Sequence, residues 1–416
     1  MSSSRRERRD RTLSLLADPY RFLSRHGEQV GSKVFETRVL LKDTTCLSGP
    51  EAAELFYDPQ SFHRAGAMPA PVRKTLLGEG GVQGLDGEAH RLRKSLFMTL
   101  MAPERVSELG RTFFDAWRRA AVAWAGRDEI VLYDELQPLL TDVVCAWAAV
   151  PLPPEDLGRR ASELRALFDA AGSRGPRHLW SRHARRRVDA WLAGVVTEIR
   201  EGAHATPPAT AAHEIAGWRD LGGELLPVKV AAVELANILR PTVATSVYIT
   251  FLAHALHTEP QAARRVCADP EYRRAFVHEV RRFYPFFPAV AARASREFDW
   301  RGWSFAKERQ VLLDLYGTNH DRDEWGDPQR FRPDRFLERE PGPYAFVPQR
   351  GGEHRTGHRC PGEWIVIELM ERAVELLAEM SYRLPEQDLA VDLRRLPALP
   401  KSGLRMVVSD ASLSDD

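Results

Sequence analysis

The chain has 416 residues, 44% of them hydrophobic and 28% charged, which is enough apolar mass for a globular protein with a sizeable core. The 59 Lys and Arg nearly cancel the 58 Asp and Glu, so no overall basic field points to nucleic acid. No stretch approaches the ~20 apolar residues of a membrane span.

The start, "MSSSRRERRDRTLSLLADPYRF", is basic but lacks the apolar core of a secretory signal, so a cytoplasmic protein is expected. Next, "KVFETRVLLKDTTCLSG" carries a strand signal. Helical periodicity then dominates, over Pro103–Trp124, Leu132–Val150, Pro154–Ala171, Ser181–Glu201, Leu226–His257 and Pro361–Met380. Further strand signals lie at "VLLDLYG" after Gln310 and at "GLRMVV" near the end. No repeat or linker divides the chain, so residues 1–416 read as a single, mainly α domain with a small β-rich region. A frayed acidic tail is expected near 409–416. The four cysteines, Cys46, Cys145, Cys267 and Cys360, lie far apart with no CxxC spacing, which argues against a zinc ribbon or a disulfide framework.

The longest helical stretch, Leu225 to His257, is apolar on most sides and should be buried. It carries Arg240 and Pro241 at its middle. The proline is expected to kink or open the helix. A buried cation needs a partner, and Glu234 is the only acid in the stretch.

Two later segments carry chemistry. In "EVRR", Glu279 and Arg282 stand three apart on one helical face, and "FRPDRF" brings arginines 332 and 335 around a proline. In "FVPQRGGEHRTGHRCPGEW", Cys360 sits behind a Gly-rich basic loop at the start of an amphipathic helix. Unpaired helix N–H groups with His358 and Arg359 are expected to lower its pKa towards the thiolate. On the loop alone, a capped helix with an incidental thiol, a reactive nucleophile and a metal ligand all remain open.

A Glu-x-x-Arg helix, an aromatic–Arg–Pro loop and a Gly-rich cysteine loop, in that order, resemble the haem-thiolate enzymes of the cytochrome P-450 superfamily over nearly the whole chain. The resemblance implies the P-450 fold, with haem b between the long central helix and the cysteine-loop helix. It implies Cys360 as axial thiolate, which pushes electron density to the iron and favours O–O cleavage. Glu279, Arg282 and the Arg332 or Arg335 loop would form the structural network beneath the haem. Arg64, His90 and Lys94 would meet its propionates.

Two departures narrow the resemblance. Monooxygenases of the superfamily usually carry an acid–threonine pair in the central helix, whereas here "NILRPTVA" puts Arg240-Pro241 at that place, with Thr242 following. The cysteine loop has His358 and Glu353 where the usual pattern has arginine and phenylalanine. These features, with "DGEAHRLRKSLFM", are similar to the hydrogen-peroxide-dependent fatty-acid peroxygenases. Arg240, helped by Pro241, would clamp a long-chain fatty-acid carboxylate, which would serve as the general acid–base for peroxide. The α and β carbons would then lie nearest the oxidant. Gln83 matches the position that favours hydroxylation in this subgroup, where histidine goes with decarboxylation to alkenes. Leu76, Leu77 and Phe287 would line the acyl channel. No obligatory reductase is implied. The competing readings are a reductase-dependent monooxygenase, a non-catalytic haem or fatty-acid binding protein, and a lipid-hydroperoxide isomerase.

Overall fold

The computed structural model describes residues 9–410 except 171 and 174. The expected tail is corrected at its start: Ser409 and Asp410 end a strand, and 411–416 lie outside the described residues. Most of the helical expectations hold to within a few residues. Helices run over Pro103–Ala125, Leu132–Ala148, Leu157–Asp169, Pro176–Arg200 and Val228–Thr258. The fourth starts five residues before the periodicity suggested, because Pro176 takes the first-turn position where its missing N–H is no loss.

The 31-residue central helix, about 46 Å long, is the axis of the main core. It packs against the helices Leu132–Ala148, Pro176–Arg200 and Glu363–Glu379. Almost every residue from Ala231 to Ala255 is buried, so its sequence is apolar on all sides. Pro241 does not open it. The helix runs unbroken, and the Thr242 hydroxyl bonds back to the carbonyl of Ile238 at 2.9 Å. Among the described residues no helix is long and apolar enough to cross a membrane.

The β region is small. The expected strand signal resolves into two strands, β1 (Val34–Val39) and β2 (Lys42–Leu47), which form a hairpin that Leu40 and Leu41 turn with positive φ. With β3 (Phe62–His63), the strand Ala289–Ala294 and the strand Gln310–Asp314, they make a five-stranded sheet beside the helical body. This sheet matters to the site because Val290 and Ala291 face the same cleft as Arg64 and Gln83.

Candidate active site

Cys360 lies just ahead of the helix Glu363–Glu379, which begins later than its periodicity suggested, so Pro361 and Gly362 belong to the turn before it. The loop is pinned from both sides. The Cys360 N–H donates to the Gln349 carbonyl at 3.2 Å, and the Gln349 side-chain amide approaches Cys360 Sγ at 4.0 Å. Gln349 Oε1 accepts from Arg281 at 3.1 Å, and Arg281 is ion-paired with Glu363, both nearly fully buried. Arg359 closes this network on Glu363 at 2.6 Å. Burial alone would raise the Glu363 carboxyl, but Arg281 and Arg359 hold it down at about 2.

The expectation of a lowered thiol pKa is overturned. Burial pushes the Cys360 thiol up, and Lys94, Arg350 and the Gly362 N–H only partly offset it. Desolvation by burial outweighs a helix end that starts three residues away. Such a thiol becomes a thiolate when a metal cation binds it.

Beside the cysteine, cationic side chains converge. Arg64 is buried, with Nη2 donating to Phe56 O at 2.9 Å and Nη1 meeting no acceptor. Burial pushes its pKa down to about 10. The Tyr57 hydroxyl and His358 Nδ1 are also buried without a hydrogen-bond partner among the described residues. His90 stacks on His358 with ring centroids 3.9 Å apart, and burial drives His90 down to about 3. Lys94 reaches the loop, but its ammonium donates to the carbonyls of Gly357 (3.0 Å) and Arg359. It therefore straps the cysteine loop to the helix Gly87–Leu100. Arg350, which sequence reasoning passed over, shares a cleft with Arg64, Tyr57, Leu77 and Gln83. Its φ is +76°, a left-handed conformation that a side chain normally avoids. Orphaned buried donors around a soft sulfur ligand suit a haem, whose iron would take the thiolate and whose carboxylates would take the donors.

Across the site lies the middle of the central helix. Arg240 is 6% exposed and makes no ion pair or hydrogen bond among the described residues, with Nη1 buried and unsatisfied. The partner that the sequence suggested is spoken for. Glu234 takes Arg93 at 2.7 Å and the Asn237 amide at 2.9 Å. Burial first, then the repulsion of Arg185, pushes the Arg240 pKa down to about 9. Asn237 also donates to Gln83 Oε1 at 3.2 Å, which fixes Gln83 against the same helix one turn before Pro241. Thr242 spends its hydroxyl on the helix backbone and faces no acid partner there.

Glu279 and Arg282 are fully buried and ion-paired. Arg282 holds Glu279 through two bonds of 2.7 and 2.8 Å and also donates to the carbonyls of Asn319 and Pro328. The choice between the two loop arginines is resolved by role. Arg335 brings its side chain to Glu279 at 3.2 Å, while Arg332 gives only its backbone N–H, at 2.7 Å.

Of the acyl-channel candidates, Leu76 and Leu77 are buried in a π-helical turn, Arg73–Leu77, against the main core. Phe287 differs: it is 40% exposed, with its ring against Phe286, so it stands at the surface edge of that region. Sequence reasoning missed Arg185, Arg350, Tyr57 and Gln349. The signal for Arg350 was a cation directly before the Gly351-Gly352 pair of the cysteine loop; the other three gave none.

Residues 264–365 match the family model described as Cytochrome P450. Among curated proteins, taxane 13-alpha-hydroxylase of Taxus cuspidata is 22% identical over 93% of this chain and 86% of its own length. Solved structures are nearer. Cytochrome P450SP alpha, in complex with (R)-ibuprophen, is 58% identical, with a TM-score of 0.95, covering 96% of this chain and 98% of that one. Cytochrome P450EX alpha with myristic acid is 43% identical, with a TM-score of 0.93 over 95% and 96% of the two chains. A variant of cytochrome P450 OleT in complex with arachidonic acid is 35% identical, with the same TM-score and coverage.

Proposed function

Because the chain belongs to the cytochrome P450 family, sharing 58% identity with a solved member over nearly the whole length of both, we propose that it is a hydrogen-peroxide-dependent fatty-acid peroxygenase. The family membership brings haem with cysteine-thiolate ligation, and in this chain we assign the ligand to Cys360 and the group to haem b. Arg64, Arg350, Tyr57 and His358 would meet the haem carboxylates, with Lys94 holding the loop that carries the ligand. The relatives solved with myristic and arachidonic acids support a fatty acid as substrate.

The observation that carries the reading is Arg240, a buried guanidinium with no anionic partner among the described residues. A cation desolvated in this way is stabilised by an anion that arrives from outside, and a carboxylate matches its two parallel donors. When bound, the thiolate-ligated haem supplies the oxidising centre at which the peroxide O–O bond is cleaved. Arg240 holds the carboxylate so that its free lone pairs can take and return the peroxide proton. Arginine itself cannot do so, because it keeps its proton. Pro241 and the Gln83–Asn237 bond fix the wall beside it. The clamp sets the first carbons after the carboxylate nearest the reacting oxygen. The net change is RCH2COOH + H2O2 → RCH(OH)COOH + H2O for α attack, with β attack on the next carbon and some decarboxylation to the terminal alkene. A chain with no acid beside Thr242 lacks the usual proton relay for reductase-driven dioxygen chemistry, which disfavours that reading.

Haem-loaded protein given a saturated long-chain acid and dilute hydrogen peroxide, without reductase, is expected to yield 2- and 3-hydroxy acids by gas chromatography–mass spectrometry. Arg240→Ala should lose about 150- to 5,000-fold in kcat/KM, from the roughly 3–5 kcal/mol of a desolvated charge pair. Intact haem with no hydroxy acid, or full activity in Arg240→Ala, would overturn the reading.

A further inference from the structure

A second buried cation faces the same region. Arg185, on the helix Pro176–Arg200, is 3% exposed. It leans on Asp189 one turn later, with Nε 3.0 Å from Oδ2 and Nη2 2.7 Å from Oδ1. Its Nη1 is buried and meets no acceptor.

The surroundings place the head group. A Cβ added to Gly78 would stand 2.3 Å from Arg185 Nη2 and 2.7 Å from Val233 Cγ1. Gly78 has φ +82°, so the chain passes close under the guanidinium where only glycine fits. Arg185 is thus wedged between the end of the Leu76–Leu77 turn and Val233 of the central helix. Val233 precedes Arg240 by seven residues, two turns along one helical face. The charge of Arg185 is also the largest electrostatic influence on Arg240 after burial.

An ion pair four residues apart on a helix stabilises by a few tenths of a kcal/mol. That does not account for burying a guanidinium with a donor left without an acceptor. Asp189, 36% exposed on its side chain, neutralises Arg185 from the solvent side. Arg185 Nη1 and Arg240 Nη1 are thus both buried without an acceptor among the described residues.

We propose that Arg185 is a second carboxylate-recognising residue of the substrate site, acting with Arg240 to select fatty acids over neutral molecules of the same chain length. The proposal rests on the fatty-acid reading above. Arg185 does not touch the reacting atoms; it raises the local positive potential and offers a further N–H, so its signature is in binding.

The test is a titration of holoenzyme with dodecanoic acid and, separately, with dodecan-1-ol, followed by the shift of the haem absorbance. Arg185→Gln, and the double variant Arg185→Gln with Asp189→Asn that leaves no unpaired acid, should weaken the acid at least about tenfold, or 1.4 kcal/mol. Alcohol binding should change less than about twofold. Arg185→Lys should recover most of the acid affinity, which separates charge from folding. Equal losses for acid and alcohol would assign Arg185 to packing alone, and an unchanged acid affinity would remove it from the site. Either overturns the proposal while leaving the parent reading standing, provided that Arg240→Ala still abolishes the preference for acid. If the wild-type protein binds acid and alcohol alike, both fall together.

Discussion

Arg350→Gly tests whether a strained backbone is kept for the sake of a charge. At φ +76° the residue sits where a side chain costs about 1–2 kcal/mol relative to glycine. The following residues are glycines for packing reasons of their own. A Cβ on Gly351 would stand 2.6 Å from Val347 Cγ1 and 2.8 Å from the Pro343 carbonyl, and Gly352 has φ +88°. Nothing comparable requires arginine at 350 except what its side chain reaches. A charge-assisted hydrogen bond to a haem carboxylate contributes about 1.5–3 kcal/mol. The strain is present with and without haem, so it cancels from haem affinity, and Arg350→Gly should release haem about 10–150-fold more readily. Arg350→Ala should release it to the same extent while keeping the strain, so the glycine variant should resist urea better than the alanine variant by about 1 kcal/mol. Haem transfer to excess apomyoglobin, followed in the Soret band, reads the first quantity; urea unfolding of the two holoproteins reads the second. Wild-type haem retention in Arg350→Gly would refute the contact, and an alanine variant as stable as the glycine one would refute the strain.

Two further outcomes follow from single contacts. Gln83→His replaces an amide fixed by Asn237 at 3.2 Å with a ring that can carry a proton, and the share of terminal alkene among peroxide-driven products should rise; chromatography showing no more alkene than the parent would sink this role. Asp314 is buried, and burial lifts its carboxyl to about 7 even though Gly317 N–H and the Ser24 hydroxyl donate to it at 2.7 and 2.8 Å. Since an unfolded aspartate titrates near 3.9, the fold prefers the neutral form. Its contribution is therefore full below about pH 4, falls as pH rises towards 7, and is flat above. Asp314→Asn should remove that slope from the urea midpoint between pH 5 and 8; an unchanged slope would count against it.

What could be read in advance follows from what is local. The apolar run of the central helix, the Glu279–Arg282 spacing and the cysteine loop each carry their meaning in consecutive residues, and each appears in the structure where expected. Burial is not local. Cys360 looked like a lowered thiol because the helix start and its basic neighbours are visible in the chain, whereas the burial that raises it exists only in the folded molecule. Lys94 illustrates the same limit: a helical spacing of four from His90 says that both share a face, but not that the ammonium spends itself on loop carbonyls more than 260 residues later. Arg185 was the least legible of all, since with Asp189 four residues on it has the pattern of a solvated helix pair. Only the close passage of Gly78 and Val233 shows that the pair is turned inward. The three arginines 185, 240 and 350 come from a helix, the central helix and a loop, so no stretch of sequence displays their convergence. Arg185 and Arg350 both oppose the charge of Arg240, a cost that no partner of Arg240 among the described residues relieves. A site that draws such charges together from separate elements is organised around anions that arrive from outside, and the haem carboxylates and a fatty acid together supply them.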